Sequence, residues 1–285
     1  VRLTICGPRG SSPVSGPEFD RFGGRTPCVA VATGAAAPTL ILDAGTGITR
    51  VADLLRGEPF RGSLLLTHLH WDHVQGLPFF RSGDHPDAAV TLLAPAQGNI
   101  AGVLERMMSP PFFPITPTEL RGSWTFAGLE PGEHQVEGLA VRAAEVPHKG
   151  GRTFGYRVGD GARSFCYVSD HGPIAAGPGD DGLGERHPAI MSLVEGCDLL
   201  IHDAQYTREE FAARAHFGHS TADYAVGLAL AAGARRLLLY HHDPAHDDAQ
   251  LDAMLAHARQ LARGSGLPVD AAAEGMSLEV GAPGG

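Results

Sequence analysis

The chain has 285 residues, 43% of them apolar and 19% charged, and carries a formal net charge of −10. That length can bury a sizeable core without staples, and no apolar run reaches the roughly 18–20 residues of a membrane span. The acidic balance and the single lysine, Lys149, argue against the basic grip that long nucleic acids require.

The N-terminal stretch VRLTICGPRG alternates like a strand over 1–6 and lacks the long apolar core of a secretion signal, so a cytoplasmic location is expected. Further strands are predicted at 28–33 and 39–42, and DAGTG (43–47) reads as a turn into a short helix over 48–56. A short β run follows at 63–67, then a strand at 90–93 and a helix over 97–108. MSPPFFPITP (108–117) is a proline- and aromatic-rich loop, with Met108, Phe112 and Phe113 as an apolar wall beside the site or as a separate apolar cluster. Strand-like runs come next at 138–146, 153–158 and 163–168, and GPIAAGPGDDGLG (172–184) is a glycine-rich loop. The last hundred residues alternate: a strand at 197–203, a helix at 221–232 capped by Ser220, a strand at 235–242 and an amphipathic helix at 247–263. HDPAHDDAQ (242–250) reads as a solvated loop, and His85, His134, His187 and His257 as surface residues. Strands with interleaved helices in both halves point to a layered α/β domain. Cys6, Cys28, Cys166 and Cys197 are scattered without a CxxC, which predicts reduced, buried thiols.

Fifteen histidines is a high count, and they cluster. THLHWDH (67–73) places His68, His70, Asp72 and His73 directly after an apolar run. On an extended segment residues two apart point the same way, so His68 and His70 can grip one ion together. Asp72 and His73 follow as the chain turns, and can reach a second ion nearby. Two neighbouring ions can share a hydroxide and activate it for a displacement. His148, Asp170 and the pair His241/His242 each follow a β run, where α/β proteins place their sites.

With those residues in view, the sequence resembles the metallo-β-lactamase fold superfamily, and within it the ribonuclease Z-like and small phosphodiesterase branch. GPRGSSP (7–13), FGGRTPCV (22–29), ILDAGTG (41–47), THLHWDH, VPHKGGRTFGYRV (146–158), CYVSD (166–170), LLIHDAQY (199–206), GHST (218–221) and LLLYHHDP (237–244) carry the resemblance over nearly the whole chain. It implies one metallo-hydrolase domain over 1–285 with a four-layer αβ/βα sandwich. It implies two divalent ions, Zn²⁺ or Mn²⁺: His68, His70 and His148 on one, Asp72, His73 and His241 on the other, with Asp170 bridging. His241 is preferred to His242 because the last ligand of the family directly follows its strand. His219 of GHST is implied as the general acid beside the substrate phosphate, oriented by Asp203 where the family usually shows Glu. Asp72 is counted with these catalytic residues as well as among the ligands, and Asp43 is a candidate support for the ligands.

The resemblance therefore predicts a dinuclear phosphodiesterase that uses a metal-bridging hydroxide on a small diester, such as a cyclic nucleotide or another cyclic phosphate. A homodimer is also expected, since related proteins are often dimers. True ribonuclease Z enzymes carry a tRNA-gripping arm between the third histidine and the bridging aspartate. Here only residues 149–169 lie between His148 and Asp170, so long nucleic acid is not an expected partner. Two other functions remain open: a lactone or ester hydrolase on the same centre, and a metal-bound ligand sensor without turnover.

Overall fold

Two sheets of seven strands each form the centre of the computed structural model, which describes residues 1–280. The first sheet holds β1 (Arg2–Gly7), β2 (Cys28–Ala32), β3 (Leu40–Leu42), β4 (Arg61–Leu65), β5 (Ala89–Pro95) and β6 (Ser123–Leu129). The second holds β7 (Gly132–Val136), β8 (Leu139–Glu145), β9 (Phe154–Gly159), β10 (Ser164–Val168), β11 (Leu199–Asp203), β12 (Leu237–Tyr240) and β13 (Val269–Ala271). The chain then returns to the first sheet, where β14 (Ser277–Glu279) pairs with β1. The spatial orders are 14-1-2-3-4-5-6 and 13-12-11-10-9-8-7. In the first sheet the pairings from β14 to β3 are antiparallel and those from β3 to β6 parallel. The second repeats this plan, antiparallel from β7 to β10 and parallel from β10 to β13.

Alternation along the strands builds the layers. In β3, Leu40 and Leu42 enter the core between the sheets, while Ile41 faces the opposite way. In β12, Leu238 and Tyr240 point inward, while Leu237 and Leu239 meet the helices outside. Because both faces are covered, these strands are apolar at every position. Helices α1 (Val51–Leu54), α2 (Trp71–Val74) and α3 (Ile100–Leu104) cover the first sheet. Helices α4 (Pro188–Val194), α5 (Arg208–Arg214), α6 (Ala222–Ala231) and α7 (Asp248–Leu261) cover the second. The result is the expected four-layer αβ/βα sandwich. All four cysteines are buried free thiols. Among the described residues, no helix is long and apolar enough to cross a membrane.

Several local expectations need correction. The helix expected over 97–108 is only Ile100–Leu104, capped by Asn99, preceded by Gly98 and weakened internally by Gly102, both poor helix formers. The cap of α6 is Thr221, which accepts a hydrogen bond from the Tyr224 amide. Ser220 instead donates to the Asp203 carbonyl at 2.8 Å. The stretch 242–250 is not a solvated loop. His242, Asp243 and His246 are buried, and the buried Arg9 donates to the Asp243 and His246 carbonyls at 2.9 and 2.8 Å. His187 is not simply a surface residue either: it caps α4, and its Nε2 lies 3.4 Å from His171 Nε2.

Candidate metal centre

The strand ends bring the histidines and aspartates together. His68 and His70 follow β4, His148 follows β8, Asp170 follows β10, and His241 follows β12. The donor atoms of His68, His70 and His148 all lie within 4.8 Å of one another, as do those of Asp72, His73, Asp170 and His241. His70 Nδ1 is 3.2 Å from His148 Nε2, and His73 Nε2 is 3.4 Å from His241 Nε2. Asp170 sits between the two groups. Its Oδ1 is 2.9 Å from His73 Nε2, and its Oδ2 is 3.3, 3.7 and 3.8 Å from the Nε2 atoms of His241, His148 and His68. His242 faces away and donates through Nε2 to the Ala272 carbonyl.

Two observations test whether this donor set fits cations. First, His68 Nε2 and Asp170 Oδ1 are buried without a hydrogen-bond partner; the 2.9 Å approach of His73 to Asp170 Oδ1 lacks hydrogen-bond geometry. Leaving such atoms unpaired costs about 1–3 kcal/mol each, and divalent cations among them would satisfy both. Second, the outward ring nitrogens are already held. His68 Nδ1 lies 3.1 Å from Thr67 Oγ1, His73 Nδ1 lies 2.9 Å from Asp43 Oδ2, and His241 Nδ1 lies 2.9 Å from Gln205 Oε1. His148 Nδ1 donates to the Gly218 carbonyl at 2.6 Å. These bonds fix each ring and leave its Nε2 lone pair toward the cluster. Asp43, in the left-handed region at φ 58°, also accepts from the Thr67 amide and the Tyr167 hydroxyl.

The charges agree. Burial raises the Asp170 and Asp72 carboxyls, but the surrounding histidines outweigh it and hold both well below the usual carboxylate range. Burial lowers His73 and His241, but Asp170 and the neighbouring carboxylates overcome it and raise both. Burial dominates at His68, which is pushed well down, and at His148, pushed down to about 4. With no cation present, burial thus favours the neutral rings of His68 and His148, whereas the carboxylates beside His73 and His241 favour protons on those rings. A cation beside His73 and His241 must displace those protons, and each one displaced changes affinity by up to about tenfold per pH unit. Acidification is thus expected to weaken binding by Asp72, His73 and His241 before binding by His68, His70 and His148. Cobalt(II) titrations followed by visible absorbance at several pH values check this, since loss of both populations at one pH would contradict it.

Beside the cluster stands the pair from GHST and LLIHD. Asp203 is fully buried at the end of β11, and its Oδ2 accepts from His219 Nδ1 and from the His171 amide, both at 3.0 Å. Its Oδ1 accepts from the Gln205 amide at 3.0 Å. The short aspartate reaches His219 because the GHST segment packs directly on the strand end, tied by Ser220 to the Asp203 carbonyl and by a bridge between Tyr206 and Thr221. The His219 ring stacks on His241 at 4.8 Å between centroids, and its Nδ1 lies 3.7 Å from Asp170 Oδ2. Donor atoms of His219 also fall within ligand range of two neighbouring groups, but Nδ1 is committed to Asp203, which leaves Nε2 as the free nitrogen.

Sequence reasoning did not single out Gln205 or Thr67 as supports, nor Ser11, whose amide donates to Asp72 Oδ2 at 2.8 Å. Their positions carried a signal: Thr67 precedes the first ligand, and Gln205 lies two residues beyond Asp203. Gly10, within the GPRGSSP run, also bears on the site. A Cβ there would lie 2.4 Å from the His241 ring, so GPRG lets the N-terminal loop press against that ligand.

Comparison with known proteins follows the same lines. The family described as "Beta-lactamase superfamily domain" matches residues 39–242. A protein named Ribonuclease Z from Exiguobacterium sibiricum is 28% identical over 248 residues, covering 73% of this chain and 79% of that one. The metallo-β-lactamase fold protein YhfI from Bacillus subtilis superposes with a TM-score of 0.73 at 16% identity, covering 98% of this chain and 99% of its own. A diphosphatase of the PhnP family superposes with a TM-score of 0.70 at 20% identity, over 98% of this chain and 97% of that one.

Proposed function

The chain belongs to the beta-lactamase superfamily domain family, and from that premise we propose that it is a metal-dependent hydrolase of small phosphodiesters. The observation that carries this reading is the His219–Asp203 pair, 3.0 Å long, standing against the His/Asp cluster with one imidazole nitrogen uncommitted. A carboxylate that fixes an imidazole makes it a general acid whose proton can go to a departing alkoxide or aryloxide. Hydrolysis of an ester or lactone has less use for a histidine beside an anion. The relative named Ribonuclease Z and the neighbour named a diphosphatase support phosphoryl chemistry.

His68, His70 and His148 would hold one divalent ion, and Asp72, His73 and His241 a second, with Asp170 shared. Zn²⁺ or Mn²⁺ suits this mixed His and carboxylate set. When bound, such ions lower the pKa of water toward neutrality and offset the charge of a phosphate. The rest falls to the chain. The Nδ1 bonds to Thr67, Asp43, Gly218 and Gln205 keep the rings from turning. Asp203 holds the proton on His219 Nδ1, so the proton delivered to the leaving oxygen comes from Nε2. Water is delivered to one face of the phosphorus, and the leaving oxygen departs from the other.

A small substrate is favoured by the segment between His148 and Asp170, which is taken up by β9, β10 and a tight turn at 160–163. Nothing projects from it to grip a long polymer. The test is hydrolysis of bis(p-nitrophenyl) phosphate by protein reloaded separately with Zn²⁺ and Mn²⁺, followed by cyclic nucleotides. Metal-dependent release of p-nitrophenol is expected. Protein that carries metal but turns over only lactones or esters, or binds ligands without turnover, would remove the phosphodiester assignment. Processing of a tRNA precursor in preference to small diesters would remove the small-substrate part.

A further inference from the structure

The metal-binding motif contains a residue that ligand chemistry does not explain. Trp71 stands between His70 and Asp72, yet it is 75% exposed. On the single turn of α2, Asp72 and His73 point into the cluster and Trp71 points outward, while Gln75, one helical turn on, borders the same side with its amide donated to Thr26 Oγ1 at 3.2 Å. There they meet Phe79, Met108, Phe112 and Phe113 around a cleft of about 380 Å³, which Arg106 also lines. Phe79 is 58% and Phe112 79% exposed, and the Phe79 and Phe113 rings meet edge to face at 5.9 Å. Large aromatics left in water at this density mark a binding surface. The cavity is concave and within the roughly 300–1,000 Å³ range of small-molecule sites, and its polar groups are few.

We infer that this cleft seats a flat aromatic group of the substrate, a nucleobase or an aryl ring, while the phosphodiester lies on the neighbouring cluster. The inference rests on the phosphodiesterase reading and narrows it to diesters that carry an aromatic substituent. Two features favour a substrate group over a second protein. Trp71 is bonded directly to His70 and Asp72, so anything stacked on it lies beside the candidate centre. The cleft also pairs stacking faces with Arg106, which suits an aromatic ring attached to an anion.

Two measurements test it. The first compares kcat/KM for bis(p-nitrophenyl) phosphate with that for methyl p-nitrophenyl phosphate, in wild type, Trp71→Ala and Phe112→Ala. Stacking is worth about tenfold or more in affinity, so the preference for the diaryl ester should fall by about tenfold in Trp71→Ala and also drop in Phe112→Ala. Both side chains are largely exposed, so their removal spares the core. An unchanged ratio in both variants overturns the inference even if both esters are hydrolysed. The second needs no turnover. Trp124 is the only other tryptophan, and Trp124→Phe leaves Trp71 as the sole indole emitter. Adenosine 5′-monophosphate should then quench it saturably. Quenching in a protein that hydrolyses neither ester would keep the aromatic site and remove the phosphodiesterase reading instead. A concentration-dependent dimer that shields Trp71 from both nucleotide and iodide would show that a second copy fills the cleft, and would overturn the inference.

Discussion

Replacing His219 with alanine lowers phosphodiester turnover by about a hundredfold to ten-thousandfold while the protein keeps its metal. The geometry separates these two effects. His68, His70 and His148 form one donor group, and Asp72, His73, Asp170 and His241 form another, so neither depends on His219. What His219 offers is an uncommitted Nε2 on a ring beside the cluster, held from behind by the Nδ1 bond to Asp203. Losing it forces the leaving oxygen to depart unprotonated, which hurts poor leaving groups most. The variant should therefore lose more on an alkyl ester than on a p-nitrophenyl ester. Asp203→Asn should follow in the same direction, because an amide can donate to Nδ1 and so favour the wrong tautomer. Kinetics with both esters, alongside metal analysis, provide the check. Unchanged turnover with metal bound would refute the acid role, and loss of metal together with activity would recast His219 as a ligand.

Asp170→Asn is expected to empty the centre. This carboxylate is the one group shared by the two halves of the cluster, within 3.8 Å of nitrogens on His68, His73, His148, His219 and His241. An amide keeps the shape but removes the charge, and its NH₂ cannot serve as a ligand. Turnover should drop to background. The stability readout is independent of activity. A cation present at a hundred times its dissociation constant stabilises the folded chain by about 2.7 kcal/mol, and for a chain of this size that raises Tm by roughly 5 °C. Wild type should show this difference between metal-loaded and chelator-stripped protein, and the variant should not. The pH behaviour has a defined sign. Asp170 and Asp72 are held low, so their pairing with the histidines supports the metal-free fold above the ordinary carboxylate pKa and is lost as pH falls through the depressed values. In the variant the Asp170 share of that acid sensitivity disappears. A metal-dependent rise in Tm that survives the substitution would count against the shared-ligand role.

The site was more legible than the frame around it. THLHWDH announces itself because ligand spacing on an extended segment is a local property. His148, Asp170 and the pair His241/His242 could be picked out because each follows an apolar strand, and the family resemblance chose His241. The strands that sequence reading missed are β6, β7, β13 and β14, and these are the four outer edges of the two sheets. Edge strands have one neighbour and one wet side. β6 and β7 each bury only their last residue, and β13 and β14 span three residues each, so their apolar signal is thin. The central strands, buried on both faces, were read with small errors at their ends. Helix α5 was missed despite its T-x-x-E capping box, Thr207 with Glu210, which the structure forms in full. Burial of His242, Asp243 and His246 was not legible at all, because it depends on Arg9, from the other end of the chain, donating to carbonyls in that loop.

That same long-range assembly bears on how the protein is made. His73 and His241 meet although 168 positions separate them, and Gly10 presses on His241 from the start of the chain. As synthesis proceeds, the segment through residue 74 already carries His68, His70, Asp72 and His73. It lacks every residue assigned to proton delivery. Closing so long a loop is entropically expensive and comes late in folding. The His/Asp cluster is therefore completed only when the second sheet docks on the first.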